Sequence, residues 1–169
     1  MKTIVTGGAG FIGSHVVDRL LNAGHSVTVI DNYSTGRHEN VAHAAADITV
    51  VEADISSPGA WVGAFKGADW IIHLAVLADI VPSIQNPDGY FRANVDGTFN
   101  VLQAARAEGV KRFVYAASSS CYGAPDAYPT SESAEMRPQY PYALTKHLGE
   151  QLVMHWAQVY DLPAVSLRF

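Results

Sequence analysis

The chain has 169 residues, a formal net charge of −5 and one cysteine, and its 11 Lys and Arg are scattered rather than gathered into a stripe. This length suits one domain with a buried core. The charge balance argues against nucleic acid or an anionic membrane surface as a partner, and a lone Cys121 excludes an internal disulfide. No apolar run approaches the roughly 18 residues that cross a bilayer, and the N-terminus lacks a signal-peptide pattern, so a cytoplasmic location is expected.

The apolar pair Ile4-Val5 leads straight into Thr6-Gly7-Gly8-Ala9-Gly10-Phe11-Ile12-Gly13, and an apolar period continues to Leu21. The pattern reads as a strand near 2–6, a glycine turn and a helix near 11–23, built to hold a dinucleotide pyrophosphate. Glycines permit the tight turn, a close approach of phosphate to backbone and close helix–strand packing, while free N–H groups at the helix start bind the anion. A second strand, Ser26-Val27-Thr28-Val29-Ile30, ends at Asp31, where a carboxylate can accept hydrogen bonds from both hydroxyls of an adenosine ribose. That favours NAD, since a 2′-phosphate would be repelled. Arg37, close in sequence, leaves NADP open as the lesser alternative.

Further strands are expected near 48–52, 69–74, 111–117 and 163–168, with helices near 58–65, 88–107 and 139–160. The irregular stretches are 31–47, 75–87 and 118–138. Alternating strands and helices imply a parallel sheet covered on both faces, and apolar runs such as Trp70-Ile71-Ile72 suit its interior strands. The fold class is therefore α/β, a doubly wound Rossmann-type sheet. Its ligand crevice should lie outside the carboxyl ends of the strands, where the long connections emerge. Because Ala164–Phe169 reads as a strand delivering the chain to that side, further structure is expected after it.

Two polar groupings sit at or near strand ends. Ser118-Ser119-Ser120-Cys121-Tyr122-Gly123 follows the fifth strand and offers hydroxyls, although a polar loop closed by a turn glycine would look the same. Tyr142 and Lys146, four apart at the start of the last helix, share one face and lie away from Leu144, Leu148, Leu152 and Val159. A phenol ionises near pH 10, so it acts as a base at neutral pH only where positive charge favours the phenolate. A neighbouring ammonium and a nicotinamide cation would supply that charge.

The order GGAGFIG, Asp31, Asp54-Ile55, HLA at 73–75, NVDGTFNVL at 94–102, SSSCYG and YALTK resembles the extended short-chain dehydrogenase/reductase family, and within it the nucleotide-sugar 4-epimerases. The likeness runs through the whole chain, and it implies that residues 1–169 are the NAD-binding domain without a sugar-nucleotide-binding part. It implies Ser118, Tyr142 and Lys146 as a catalytic triad and NAD as cofactor. Gly7, Gly10 and Gly13 would form the turn, with the Phe11 and Ile12 amides on the pyrophosphate. Asp31 and Asn32 would hold the adenosine ribose, and Asp54 and Ile55 would flank the adenine. Leu74, Ala75 and Val76 would lie along the cofactor and Asn94 near it. Tyr142 would take the proton of the sugar 4-hydroxyl, with Lys146 on the nicotinamide ribose and Ser118 orienting the reacting oxygen. Ala78 departs from the family, standing where some epimerases carry a lysine.

The resemblance also orders the reactions. Related 4,6-dehydratases carry an Asp-Glu pair directly after the hydroxyl residue, where this chain has Ser119-Ser120, and related decarboxylases keep a glutamate at the position of Ser120. Epimerisation of a UDP-sugar through a 4-keto sugar is therefore the expected activity. A dehydratase or decarboxylase, or a catalytically idle NAD-binding module, is the alternative. A homodimer is expected through helices 88–107 and 139–160, which carry surplus apolar surface at Tyr90, Phe91, Val95, Phe99 and Leu102. No metal site is visible: His15 and His25 read as surface or capping groups, and His147 and His155 lack metal-ligand partners. Cys121 reads as a small structural residue, and Trp61 and Trp70 as core.

Overall fold

The computed structural model describes all 169 residues. Six parallel strands, β1 (Lys2–Thr6), β2 (Ser26–Asp31), β3 (Ile48–Glu52), β4 (Trp70–His73), β5 (Arg112–Ala117) and β6 (Ala164–Arg168), stand in the order β3-β2-β1-β4-β5-β6. The chain starts in the middle of the sheet, works to one edge, returns across β1 and works to the other. The order reverses between β1 and β4, the place where an open α/β sheet leaves a ligand crevice.

Alternation along the strands sorts side chains onto two faces. Val5, Val27 and Val29 pack with Val17 and Leu20 of α1 (Phe11–Asn22). On the other face Ile4, Ile30, Ile71, Phe113 and Tyr115 pack under α5 (Gly97–Glu108) and α6 (Pro141–Tyr160), whose Val101, Leu102, Val153 and Trp156 close the larger core. Thr3 through Thr6 are inaccessible to solvent, as expected of a central parallel strand covered on both faces. The register pairs Thr6 with Ile30 and with His73, so the carboxyl ends of β2, β1 and β4 lie side by side.

Pro141 opens α6 at a position where a missing N–H costs nothing, and α5 ends at Gly109 in the left-handed region, φ +61°. Other elements depart from expectation. The segment near 58–65 is a six-residue 3-10 helix, Ala60–Phe65, preceded by Pro58-Gly59 and running through Gly63, with Trp61 and Phe65 as its buried anchors. Short helices α2 (Glu39–Ala42) and α3 (Ile80–Gln85) occupy stretches expected to be irregular. The helix expected near 88–107 is composite: α4 (Pro87–Phe91), a π turn (Arg92–Asp96), then α5. Trp61 is core, but Trp70 is only partly buried, against the His25 ring with Arg112 beyond it. No helix is long and apolar enough to cross a membrane.

The glycine turn holds the tightest packing near the sheet edge. Gly7 has φ +71°, and a Cβ there would stand 2.7 Å from the Ala75 amide nitrogen. A Cβ on Gly13 would collide with the Gly7 carbonyl and lie 2.7 Å from the Gly8 Cα. Both obstacles are backbone, which cannot rotate aside. Gly13→Ala is therefore expected to cost about 1–3 kcal/mol in urea denaturation and to distort the turn; an unchanged midpoint would show that the turn yields.

Candidate active site

Gly10 stands at the N-cap of α1, and no side chain caps the helix's first amides. Phe11 and Ile12 are 78% and 51% exposed, so the first turn presents open backbone N–H groups at the sheet edge. Such an end attracts anions through its orphan donors and the helix dipole. The cleft beside it is lined by Gly7, Gly10, Asp31, Asn32, Asp54, Ile55, Leu74, Ala75 and Val76, together with Ser34, Thr35, Leu77 and Ala93. Nine residues expected around a dinucleotide thus converge from the ends of β1, β2, β3 and β4.

Asp31 is nearly buried, and its carboxylate organises the cleft wall. One oxygen accepts from the Ala9 amide at 2.9 Å, joining β2 to the glycine turn, and the other accepts from the Tyr33 amide at 2.9 Å. Each oxygen retains a second lone pair. The segment after Asp31 folds back on the same turn, since the Arg37 amide and the Asn40 side chain both donate to the Ala9 carbonyl. Arg37 itself is exposed.

Asn94 lies deeper than a ligand-facing residue. It is fully buried on the π turn; its Oδ1 accepts from the Leu77 amide at 2.8 Å, while its Nδ2 donates to the Leu77 carbonyl and the Thr145 hydroxyl, both at 3.0 Å. This double clamp fixes the 74–77 segment and ties it to α6.

The other expected site residues sit further along the same sheet edge. Ser118 directly follows β5 and caps a 3-10 turn (Ser119–Tyr122), its Oγ accepting from the Ser120 amide at 3.2 Å. That bond leaves its proton free to donate elsewhere. Tyr142 lies in the first turn of α6, half-buried, with its ring parallel to that of Tyr140. Lys146, one turn later, is 1% exposed, and its Nζ has no hydrogen-bond partner. The face of the Tyr115 ring lies 4.2 Å from Nζ and offers partial compensation. Burial therefore drives the amine down to about 7, against the opposing influence of Cys121 and Glu150.

Glu150, a further turn along α6, is buried against Arg168 of β6. Both carboxylate oxygens accept from the Arg168 Nε at 3.1 Å, and Ser166 donates to one of them at 2.7 Å. Arg168 also reaches the Tyr122 hydroxyl, so this cluster holds the serine turn, β6 and α6 together. Arg168→Ala would leave a carboxylate 5% exposed without its partner. A loss of about 1–3 kcal/mol is expected by chemical denaturation, largely restored in Arg168→Ala/Glu150→Gln.

One grouping was not foreseen. Ligand atoms of Cys121, His147 and Glu150 all lie within 4.8 Å of one another, so the expectation that His147 lacks such neighbours is corrected. The fold creates it by laying the 118–123 turn on α6, where the Cys121 thiol donates to the Ala143 carbonyl at 3.6 Å. No metal role is assigned to it: the Glu150 carboxylate is already engaged by Arg168, and Lys146 is a second cation beside the cluster. Cys121 is buried, and burial pushes its thiol up, in keeping with a packing role.

A parallel sheet of order 3-2-1-4-5-6, with an uncapped glycine-turn helix and an acid closing β2, defines a Rossmann-type α/β protein. Residues 3–169 match the NAD dependent epimerase/dehydratase family, and the chain belongs to it. It is 36% identical to a UDP-glucose 4-epimerase of Corynebacterium glutamicum over 100% of this chain and 50% of that protein. Among solved structures, it superposes on the Brucella ovis UDP-glucose 4-epimerase in complex with NAD with a TM-score of 0.92 and 34% identity, covering 99% of this chain and 51% of that one. The dTDP-glucose 4,6-dehydratase of Streptomyces venezuelae, also with NAD bound, gives 0.94 and 32%, with 99% and 55% coverage. The chain thus spans about half the length of these relatives.

Proposed function

We propose that the chain is the NAD-binding part of an enzyme that interconverts the 4-epimers of a UDP-sugar. The observation that carries the reading is the Lys146 amine, fully buried and unpartnered one helical turn from Tyr142, on a sheet edge that also presents an uncapped helix start. An amine of that kind is costly unless a ligand completes its hydrogen bonds, and a ribose bearing two hydroxyls is such a ligand.

The residues present fit NAD. The α1 amides at Phe11 and Ile12 would hold the pyrophosphate over Gly7, Gly10 and Gly13, and the remaining lone pairs of Asp31, with Asn32, would take the adenosine ribose. Asp54 and Ile55 would flank the adenine, and Leu74, Ala75 and Val76 would run along the cofactor. Asn94 would act by fixing that segment. The bound dinucleotide supplies acceptance and return of a hydride at sugar carbon 4. Tyr142 would remove the 4-hydroxyl proton and later return one, Lys146 would favour the phenolate and grip the nicotinamide ribose, and the free Ser118 proton would hold the reacting oxygen.

Fold similarity alone does not choose among the family's reactions, because the epimerase and dehydratase structures superpose equally well. The choice rests on Ser119 and Ser120, which provide no acid for eliminating water. Full-length protein given NAD and UDP-glucose is expected to yield the 4-epimer; a 4-keto-6-deoxy product would assign it to the dehydratases instead. We further infer a cytoplasmic homodimer paired through segments 88–107 and 139–160, where Phe91, Phe99 and Leu144 are 45%, 41% and 46% exposed, whereas Tyr90 and Leu102, expected on that surface, are buried inside the chain. Light scattering is expected to return twice the monomer mass, and a monomer mass would remove the dimer.

A further inference from the structure

His73, the last residue of β4, is wholly buried on the sheet face covered by α5 and α6, yet both ring nitrogens are bonded: Nδ1 to the Thr6 hydroxyl at 2.6 Å and Nε2 to the Thr98 hydroxyl at 2.9 Å. Their directions follow from the neighbours. The Thr98 hydroxyl lies 2.6 Å from the Asn94 carbonyl, which can only accept, so its single proton points there. Thr98 Oγ1 must then accept from His73 Nε2–H. Nδ1 is left bare and accepts from the Thr6 hydroxyl, whose oxygen in turn accepts from the Ala75 amide at 3.4 Å, the longest link.

The result is a one-way chain from the Ala75 amide through Thr6, His73 and Thr98 to the Asn94 carbonyl. The Asn94 side chain continues it. It clamps Leu77 and donates to the Thr145 hydroxyl, which donates to the Tyr142 carbonyl at 2.9 Å. Segment 74–77 is therefore held at both ends by groups that meet through one imidazole. Around that ring stand Thr6 of β1, the Phe113 and Tyr115 rings of β5, Thr98 of α5 and, as the charged group, Lys146 of α6. Burial, then the Lys146 charge, push His73 down to about 3.

We propose that His73, fixed as the neutral Nε2–H tautomer, is a positioning residue that sets the 74–77 wall of the cleft in register with the Tyr142 helix. Its consequence for NAD rests on the function proposed above, whereas its hold on the segment does not. The histidine of the HLA motif thus has a physical reason to be there and to stay neutral, because a protonated ring would bring a second donor against Thr6 and reverse that half of the chain.

The test uses Thr98→Val, which removes the hydroxyl without touching His73, with Thr98→Ser as the conservative rescue. In cofactor-free protein, amide exchange at Ala75 and Leu77 is expected to quicken at least about tenfold in Thr98→Val relative to Val29 of β2, the scale of one lost hydrogen bond, and to return in Thr98→Ser. Nitrogen-15 spectra are expected to show Nε2 protonated, Nδ1 bare and no titration between pH 5 and 8. Equal acceleration at all three amides, none at any, a protonated Nδ1 or a titration in that range overturns the proposal. Wild-type protein that fails to bind NAD would refute the cofactor reading alone, since exchange and tautomer decide the positioning role without it.

Discussion

Tyr142→Phe is expected to lower turnover of the full-length protein by about 10²–10⁴-fold, the usual contribution of a general base, while NAD remains bound. The substitution removes one oxygen. Phenylalanine keeps the ring that lies parallel to Tyr140, 6.5 Å between centroids and 8° between planes, and the helix N-terminus is set independently by Pro141. The backbone partners of Tyr142 are also untouched, because Thr145 bonds its carbonyl rather than its phenol. The account therefore demands a fall in kcat with little change in NAD affinity or unfolding midpoint. Turnover equal to wild type would remove Tyr142 from the chemistry, and loss of NAD with the hydroxyl would make it a binding residue.

Replacing Lys146 by methionine is expected to pull stability and function in opposite directions. Methionine keeps the length and the packing under Tyr115 while removing a buried amine without a hydrogen-bond partner. At pH 7 the cofactor-free variant should be more stable than wild type by about 1–2 kcal/mol, although NAD affinity and turnover fall. The pH dependence fixes the sign. The amine titrates at about 7 in the folded chain and near 10.4 when unfolded, so above pH 7 the unfolded state binds the extra proton and stability rises with pH. Between pH 7 and about 8.5 wild type should gain about 1–2 kcal/mol through this residue and Lys146→Met nothing. Above that range Cys121 acts the other way: burial raises its folded pKa, and the unfolded thiol releases its proton first. A variant less stable than wild type at pH 7, with the same pH slope, would mean that the amine has a partner.

Local pattern carried the parts of this site that depend on neighbours in sequence. The glycine turn, Asp31 at the end of β2 and the four-residue spacing of Tyr142 and Lys146 are each short-range signals, and the fold brings the turn, the acid and the residues at the ends of β3 and β4 around one cleft. What sequence did not disclose depends on which segments the fold lays together. Asn94 was expected near the cofactor, and its amide bonds to Leu77 and Thr145 are contacts that only the packing of the π turn on α6 reveals. The grouping of Cys121, His147 and Glu150 arises only because a turn after β5 lies on a helix that starts many residues later. Helix α3 was hidden for another reason: it has only six residues, too few to establish a period, and Pro82 reads locally as a break.

The most direct measurement is a crystal structure of the protein grown with NAD. The pyrophosphate is expected over the Phe11 and Ile12 amides, the adenosine ribose on the Asp31 carboxylate, and the nicotinamide ribose within hydrogen-bonding distance of Lys146 Nζ. A dinucleotide bound elsewhere, or a Lys146 amine still unpartnered beside bound NAD, would contradict the account.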